Sequence, residues 1–182
     1  MRRNLLRIFM ALLPMIANAY DAEIDGIYYS FSGDETTVTY KTYYDNMYFS
    51  DYSGAVVIPA SVLYDAKTYS VTSIGNNTFN NSCALISIII PGSVTSVDAY
   101  TFLGCNALTS VQISDLESWC KIDFDYNSAN PLLYAHHLFL NGEEIKDLVI
   151  PASVTKLGHW TFTSCSGLTS VTIPKGVTSI GA

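Results

Sequence analysis

Val154-Thr-Lys-Leu-Gly-His-Trp-Thr-Phe162 recurs without internal gaps in three other places. The copies are Val71-Thr-Ser-Ile-Gly-Asn-Asn-Thr-Phe79, Val94-Thr-Ser-Val-Asp-Ala-Tyr-Thr-Phe102 and the shortened Val177-Thr-Ser-Ile-Gly-Ala182. Val71 and Val94 lie 23 residues apart, as do Val154 and Val177. Val94 and Val154 lie 60 apart, room for one unit of 23 and an enlarged unit of 37. Self-similarity at a fixed period of this size marks a repeat architecture.

The text between the copies repeats as well. A short polar stretch follows each Thr-Phe, then a leucine, then a strand-like burst that ends in Ile-Pro: Leu85-Ile-Ser-Ile-Ile-Ile-Pro91 and Leu168-Thr-Ser-Val-Thr-Ile-Pro174. Leu108-Thr-Ser-Val-Gln-Ile-Ser114 has serine in place of the proline, and Ile58-Pro59 and Ile150-Pro151 open further units. In each burst two apolar residues alternate, Val111 with Ile113 and Val171 with Ile173, so both face one side of a strand. Proline cannot donate to a ladder and ends the strand. The next short segment adds two inward groups per unit: Val71 and Ile74, Val94 and Val97, Val154 and Leu157, Val177 and Ile180. Leu85, Leu108 and Leu168 enter from the preceding turn, and Phe79, Phe102 and Phe162 fill the far wall. No unit of 23 residues closes a core alone, so stacked units must share one. The expected fold is mainly β, a solenoid of ~23-residue units. An Ile173→Asp substitution is expected to open the last coil, because an unpaired buried charge costs several kcal/mol.

The recurring pattern is Ile-Pro-x-x-Val-Thr-x-Ile/Leu-Gly-x-x-Thr-Phe-x-x-Cys-x-x-Leu-Thr-Ser-Val-x-Ile. It resembles the BspA-like leucine-rich-repeat family over roughly residues 55–182. The resemblance implies a leucine-rich-repeat solenoid, secreted or displayed on a microbial surface. Some members of that family are adhesins for host matrix proteins or for other cells, so it also implies a non-catalytic protein-binding role.

Three departures stand out. Nine more residues separate Pro59 from Phe79 than separate Pro91 from Phe102, and the extra stretch, Leu63-Tyr-Asp-Ala-Lys-Thr-Tyr69, is expected to bulge as a loop or hairpin. The enlarged unit, about 114–150, holds Trp119-Cys120, Asn130-Pro131 and Leu138-Phe-Leu-Asn-Gly-Glu-Glu-Ile145. Its Asn141-Gly142, set between apolar alternations, signals a hairpin. The last unit breaks off at Ala182. An apolar edge without a cap points to a piece of a longer chain, or to an edge covered by a partner or by end-to-end self-association.

At the other end, Arg2, Arg3 and Arg7 precede the apolar run Ile8–Ile16 and then Ala17-Asn18-Ala19. These are the three parts of a secretory signal peptide, with cleavage expected between Ala19 and Tyr20. The run is too short to span a bilayer, which takes roughly 20 residues. Residues 1–19 are read as the signal, 20–54 as an N-terminal cap and 55–182 as the repeats. The product is expected to be secreted or cell-surface, with no membrane span after signal removal. All three arginines fall in the signal, which leaves six lysines against sixteen acids, a charge of −10. Nucleic-acid binding rests on neutralising phosphates, so a chain this acidic is not a nucleic-acid partner. It is also a poor match for anionic lipid. With 49% hydrophobic and 14% charged residues, general disorder is excluded.

Residues 20–54 do not repeat. Ile24–Phe31, then Ser32-Gly33-Asp34-Glu35, then Thr36–Tyr40 read as strand, turn, strand, a β-hairpin that caps the first coil. Ten of the thirteen tyrosines lie before residue 70. They serve either as half-buried, β-favouring cap residues or as an aromatic patch for sugars or proteins. Tyr28, Tyr43 and Tyr44 in the cap, with Trp119, Tyr126 and Tyr134 in the enlarged unit, are the candidate contact residues.

Cys105 and Cys165 hold one position in their units, Ser82 holds it in another, and Cys83 falls one residue late. Four cysteines allow three pairings. The in-register serine and the two-unit separation favour buried free thiols. The chain has no C-x-x-C, so a structural zinc site is not expected. His136 and His137 are adjacent, and strand neighbours point to opposite faces. Glu117, Asp123 and Asp125 lack the calcium-loop pattern and read as a solvated face. With no nucleophile elbow and no phosphate-cradling glycine loop, neither enzyme activity nor a cofactor is expected. The Thr, Ser and Gln positions of the strands (Thr109, Ser110, Gln112, Thr169, Ser170, Thr172) are either merely β-compatible or a flat hydrogen-bonding face. Three readings follow: a protein-binding adhesion module, a glycan-binding module using the tyrosine-rich cap, and a spacer within a longer surface protein.

Overall fold

The computed structural model describes residues 19–44 and 47–181. The signal-peptide reading, apart from Ala19 and Tyr20, lies outside the described residues. β1 (Ala22–Ile24), β2 (Ile27–Ser32) and β3 (Glu35–Thr39) form an antiparallel meander. β4 (Thr42–Tyr44) and β5 (Met47–Phe49) make a hairpin, and β6 (Ser53–Val57) follows. The bulge foreseen at Leu63–Tyr69 is a hairpin of β7 (Ser61–Tyr64) and β8 (Lys67–Ile74), turning at Asp65 and Ala66 with φ of 48° and 58°. β9 (Ala84–Ile90), β10 (Ser96–Val97) and β11 (Ser110–Ile113) come next. The enlarged unit holds α1 (Leu116–Lys121), a 3-10 turn (Asn127–Ala129) and α2 (Leu132–Ala135). It ends in the hairpin of β12 (Leu138–Leu140) and β13 (Glu143–Glu144), turning at Asn141-Gly142. β14 (Asp147–Val149), β15 (Lys156–Leu157), β16 (Ser170–Thr172) and β17 (Ser179–Ile180) complete the chain.

The strands pair across units in two rows of parallel ladders. In the Ile-Pro row, β6, β9, β11 and β12 lie side by side, and β14 pairs with β16. In the Val-Thr row, β3, β8 and β10 pair, and β15 pairs with β17. Ser110 opposes Ser87, Ser96 opposes Ser73, Asp147 opposes Ser170 and Lys156 opposes Ser179, so one repeat of sequence is one step of the ladder.

Threonine fastens the units together. The hydroxyl of buried Thr78 sits between the carbonyls of Gly75 (2.7 Å) and Val38 (3.0 Å). Thr101 lies in the same way between Asp98 and Gly75, and Thr161 between Gly158 and Ile122. In each case one partner is three residues back and the other lies in the coil beneath. This explains the Thr before every repeat Phe, since a buried hydroxyl must find a partner. A second set, Thr95, Thr109, Thr169 and Thr178, reaches a carbonyl 23 residues back by side chain and by N–H. Thr109 and Thr169 therefore join coils and do not offer free hydrogen bonds. Glycine follows from the same close stacking: a Cβ on Gly158 would lie 2.0 Å from the Ile122 carbonyl oxygen.

Most of the expected core is buried. Val71, Ile74, Phe79, Leu85, Val94, Val97, Phe102, Leu108, Val111, Ile113, Val154 and Leu157 are covered, while Phe162, Leu168 and Val177 are half-buried. Val171, Ile173 and Ile180 differ: they are exposed, because no later coil among the described residues covers them. Ile173→Asp therefore places its charge at a position 47% exposed, and the expected opening of the coil does not follow. The fully buried residues fall into two clusters, bridged by half-buried Leu116, Ile145 and Phe162. One cluster runs from the N-terminal meander to Leu138, and a second holds Cys120, Leu148, Ile150, Val154 and Leu157. They part at α1, where Trp119 enters the first cluster and Cys120 the second. Asp115 caps this helix, accepting from the Ser118 N–H at 2.6 Å. Cys120 O accepts from Gly158 N, as Ile74 O accepts from Asp98 N, so the helix end stands in for a Val-Thr strand.

Candidate interaction surfaces

Half of the candidate aromatics prove to be structural. Tyr28 is buried, 2% exposed, with its hydroxyl on Asp51 Oδ1, and burial pushes that hydroxyl up to about 12. Its ring begins a file of aromatic contacts, Tyr28 to Tyr52 at 5.4 Å, Tyr52 to Phe79 at 4.6 Å and Phe79 to Phe102 at 5.0 Å. This file carries the cap into the core, so Tyr28 meets no partner. Trp119 is likewise buried, packed 5.4 Å from Phe124, with its indole N–H on the Thr161 carbonyl at 3.2 Å. Half-buried Tyr134 accepts from the Gly104 N–H at 2.9 Å. The other candidates differ. Tyr43 is exposed and packs 4.9 Å from Tyr48, which packs on Tyr40. Of Tyr44 only the backbone, paired with Met47, is described. Tyr126 is 52% exposed and stacks on Tyr100 at 5.3 Å, the planes 13° apart.

Tyr100 was not foreseen. It occupies the repeat position held by Asn77 and Trp160, and all three have a φ of 58°. That left-handed turn suits asparagine and strains a bulky side chain. Two aromatics in an asparagine's place were the available signal. Asp98 stands close by, where other units carry Gly75, Gly158 and Gly181. Partial burial, and Asp125 beside it, hold the Asp98 carboxyl above its usual range.

The remaining polar groups are tied to one another. His159 Nδ1 lies 2.6 Å from Asp123, whose carboxyl the His159 N–H and ring hold low. Glu117 pairs with Lys121 at 2.6 Å and accepts from Ser153. His137 pairs with Glu144 at 2.6 Å, and His136 Nδ1 contacts the Ser164 carbonyl. Among the described residues, no three His, Cys, Asp or Glu side chains converge as a metal site would require.

All four thiols are unpaired. The Cys105 Sγ–H donates to the Phe79 carbonyl at 3.1 Å, the place that the in-register Ser82 holds one coil earlier. Burial pushes Cys105 and Cys120 up to about 12 and Cys165 to about 11. Cys165 is only half-buried, and Cys83, the residue out of register, is exposed; the expectation of four buried thiols fails there. One position too late, Cys83 points out of the turn.

A groove of 540 Å³ lies at the N-terminal end. Its walls come from the Ile24–Ile27 turn with Tyr29, and from residues 51–53 and 55–57 with Pro59 and Val62. A second, of 420 Å³, lies between Leu116, Leu140 and the Glu143–Val149 segment of the enlarged unit.

The family profile "BspA type Leucine rich repeat region" matches residues 66–129 and 134–182 in six copies, more than half of the chain. The chain belongs to this family. The unmatched gap falls at Asn130–Leu133, where the 3-10 turn meets α2. Asn130 bridges this gap, donating to the Trp160 and Thr161 carbonyls and accepting from the Leu132 N–H.

No curated protein matches the chain. Among solved structures, the Treponema pallidum leucine-rich repeat protein is 17% identical with a TM-score of 0.51, covering 88% of this chain and 81% of that one. It shares the fold. A leucine-rich cell surface protein of Faecalibacterium prausnitzii is 24% identical with a TM-score of 0.49, covering 86% of this chain and 43% of that one. A leucine-rich repeat protein of Bacteroides ovatus is 24% identical with a TM-score of 0.44, covering 85% and 42%. This chain thus spans less than half the length of the latter two. Among the described residues no helix is long and apolar enough to cross a membrane.

Proposed function

We propose that this BspA-type repeat protein is a secreted or cell-surface module that binds other proteins, in adhesion to host matrix or to neighbouring cells, without catalysing a reaction. The observation that carries the reading is the repeat itself, matched over more than half of the chain to a family of repeat proteins. An N-terminal sequence of signal-peptide form supports export. Surface chemistry suits a protein partner. Of the cap tyrosines offered for sugar stacking, Tyr28 is buried, whereas Tyr100 and Tyr126 present a stacked pair beside two carboxylates. Tyrosine gives contact area at low entropic cost, and carboxylates beside it suit the lysines and arginines of a protein.

The test is a binding screen of the purified chain on extracellular-matrix proteins, intact cells and a glycan array. Saturable binding to a protein or to cells, weakened by Tyr100→Ala with Tyr126→Ala, is the expected result. Binding to sugars alone, or none by a chain shown to be folded, overturns the reading.

A further inference from the structure

The cap closes one row of strands and leaves the other open. The β1–β2–β3 meander pairs with β8 and covers the first Val-Thr strand. In the Ile-Pro row, β6 pairs with β9 on one side only, and no described strand lies on its other side. Parallel ladders turn both polar groups of alternate residues to the same neighbour. The Ile58 N–H donates to the Ile89 carbonyl at 3.0 Å, so residue 58 and Val56 face β9. Ala55 and Val57 therefore turn N–H and C=O to the open edge. Those two residues line the 540 Å³ groove, together with Ser53, Pro59 and the opposite wall, Ile24–Ile27.

We propose that this groove takes an extended peptide segment of a partner protein, added as a further strand on the edge of β6. The proposal rests on the protein-binding reading and adds to it a second contact, apart from the Tyr100–Tyr126 pair. An unpaired strand edge is a template for another strand. Five residues of edge at about 3.3 Å each are enough for a short strand. Apolar Ile24, Ile27, Val56 and Val62 in the walls fit alternate apolar side chains of the peptide. Charge selects among peptides. The groove has two carboxylates, Asp25 and Asp51, and no lysine or arginine. Lys41 already pairs with Asp51 at 2.7 Å, whereas Asp25 has no ion-pair partner among the described residues. The partner strand thus carries a lysine or arginine opposite the β1–β2 turn.

The test is selection of random eight-residue peptides, displayed on phage, against the purified chain. Two variants serve as controls. Val57→Pro removes an outward N–H and no ladder bond, at an edge where proline is tolerated. Asp25→Asn keeps a residue suited to its left-handed φ of 51°. The expected peptides alternate apolar and polar residues and include a Lys or Arg. Their affinity falls at least tenfold on Val57→Pro, and by about two- to fivefold on Asp25→Asn, with melting temperatures unchanged. Methylating alternate peptide amides abolishes binding. Peptides that bind Val57→Pro equally overturn the proposal, as do peptides indifferent to amide methylation. Concentration-dependent self-association that Val57→Pro removes also overturns it, by giving the edge to a second copy. The two readings fail separately: if Val57→Pro binds matrix or cells like wild type, the edge is not used and the protein-binding reading stands. If the wild type binds no protein or cell at all, that reading falls.

Discussion

Leu108-Thr-Ser-Val-Gln-Ile113 and Leu168-Thr-Ser-Val-Thr-Ile173 differ at one position in six, yet they live in opposite environments. Val111 and Ile113 are 0% and 3% exposed; Val171 and Ile173 are 52% and 47% exposed. The first segment lies between β9 and β12; the second lies against β14, with no other described strand beside it. A repeat word thus defines which side chains point inward, and the neighbouring coil decides whether pointing inward means burial. The contrast extends to polar groups. Thr109 and Thr169 both bond the carbonyl of the coil beneath, since that contact needs only one neighbour.

The largest consequence falls where the two core clusters meet. Trp119→Ala is expected to destabilise the chain by about 3–5 kcal/mol, since it empties a fully packed site and strips the Thr161 carbonyl of its indole donor. Chemical denaturation checks it. A loss below about 1 kcal/mol would mean that α1 is not the joint between the clusters. Next comes the paired truncation. Ile113→Ala should cost about 2–5 kcal/mol, and Ile173→Ala no more than about 1 kcal/mol, because half of that side chain is already in water. Thr101→Val should cost about 1–3 kcal/mol, the range for stripping a buried carbonyl of its partner. A neutral outcome would remove threonine from the account of stacking.

These three sites also show what could be read from sequence alone. The apolar alternation and the 23-residue period placed Ile113 and Thr101 in their units before any coordinate, and Asn141-Gly142 placed its hairpin. Trp119 was misread as a contact residue, because it lies in the one unit where the period fails and burial cannot be taken from a sister copy. The sequence announced an uncapped apolar edge at the last unit but not that Val171 and Ile173 belong to it: the period there is perfect, and a neighbouring coil is not a property of the word. Tyr100 was passed over because its repeat position looked like an unconstrained x. The open edge of β6 depends on which row the cap joins, a choice made by tertiary pairing.

Smaller effects separate the regions further. Cys83 should react with iodoacetamide first, Cys165 next, and Cys105 and Cys120 only as fast as the chain opens, because a buried thiol held up to about 12 offers almost no thiolate. Peptide mapping after timed alkylation reads the order, and early loss of Cys105 would contradict it. The smallest effect concerns the cap. Lys41, and after it the Tyr28 hydroxyl, hold the Asp51 carboxyl below its usual range. That stabilisation is present above the ordinary carboxylate pKa and is lost as pH falls through the lowered value. Asp51→Asn should therefore lower the melting temperature slightly at pH 7 and not at all in strong acid. An equal deficit at both would assign the effect to packing.

The most direct test of the central comparison places the same charge at both sister positions. Val111→Asp should abolish cooperative unfolding or lower the melting temperature steeply, as an unpaired buried carboxylate must. Val171→Asp should leave it within a few degrees of wild type. Equal losses from the two substitutions would show that Val171 is covered in solution, and would contradict the claim that the neighbouring coil, and not the repeat word, sets burial in this protein.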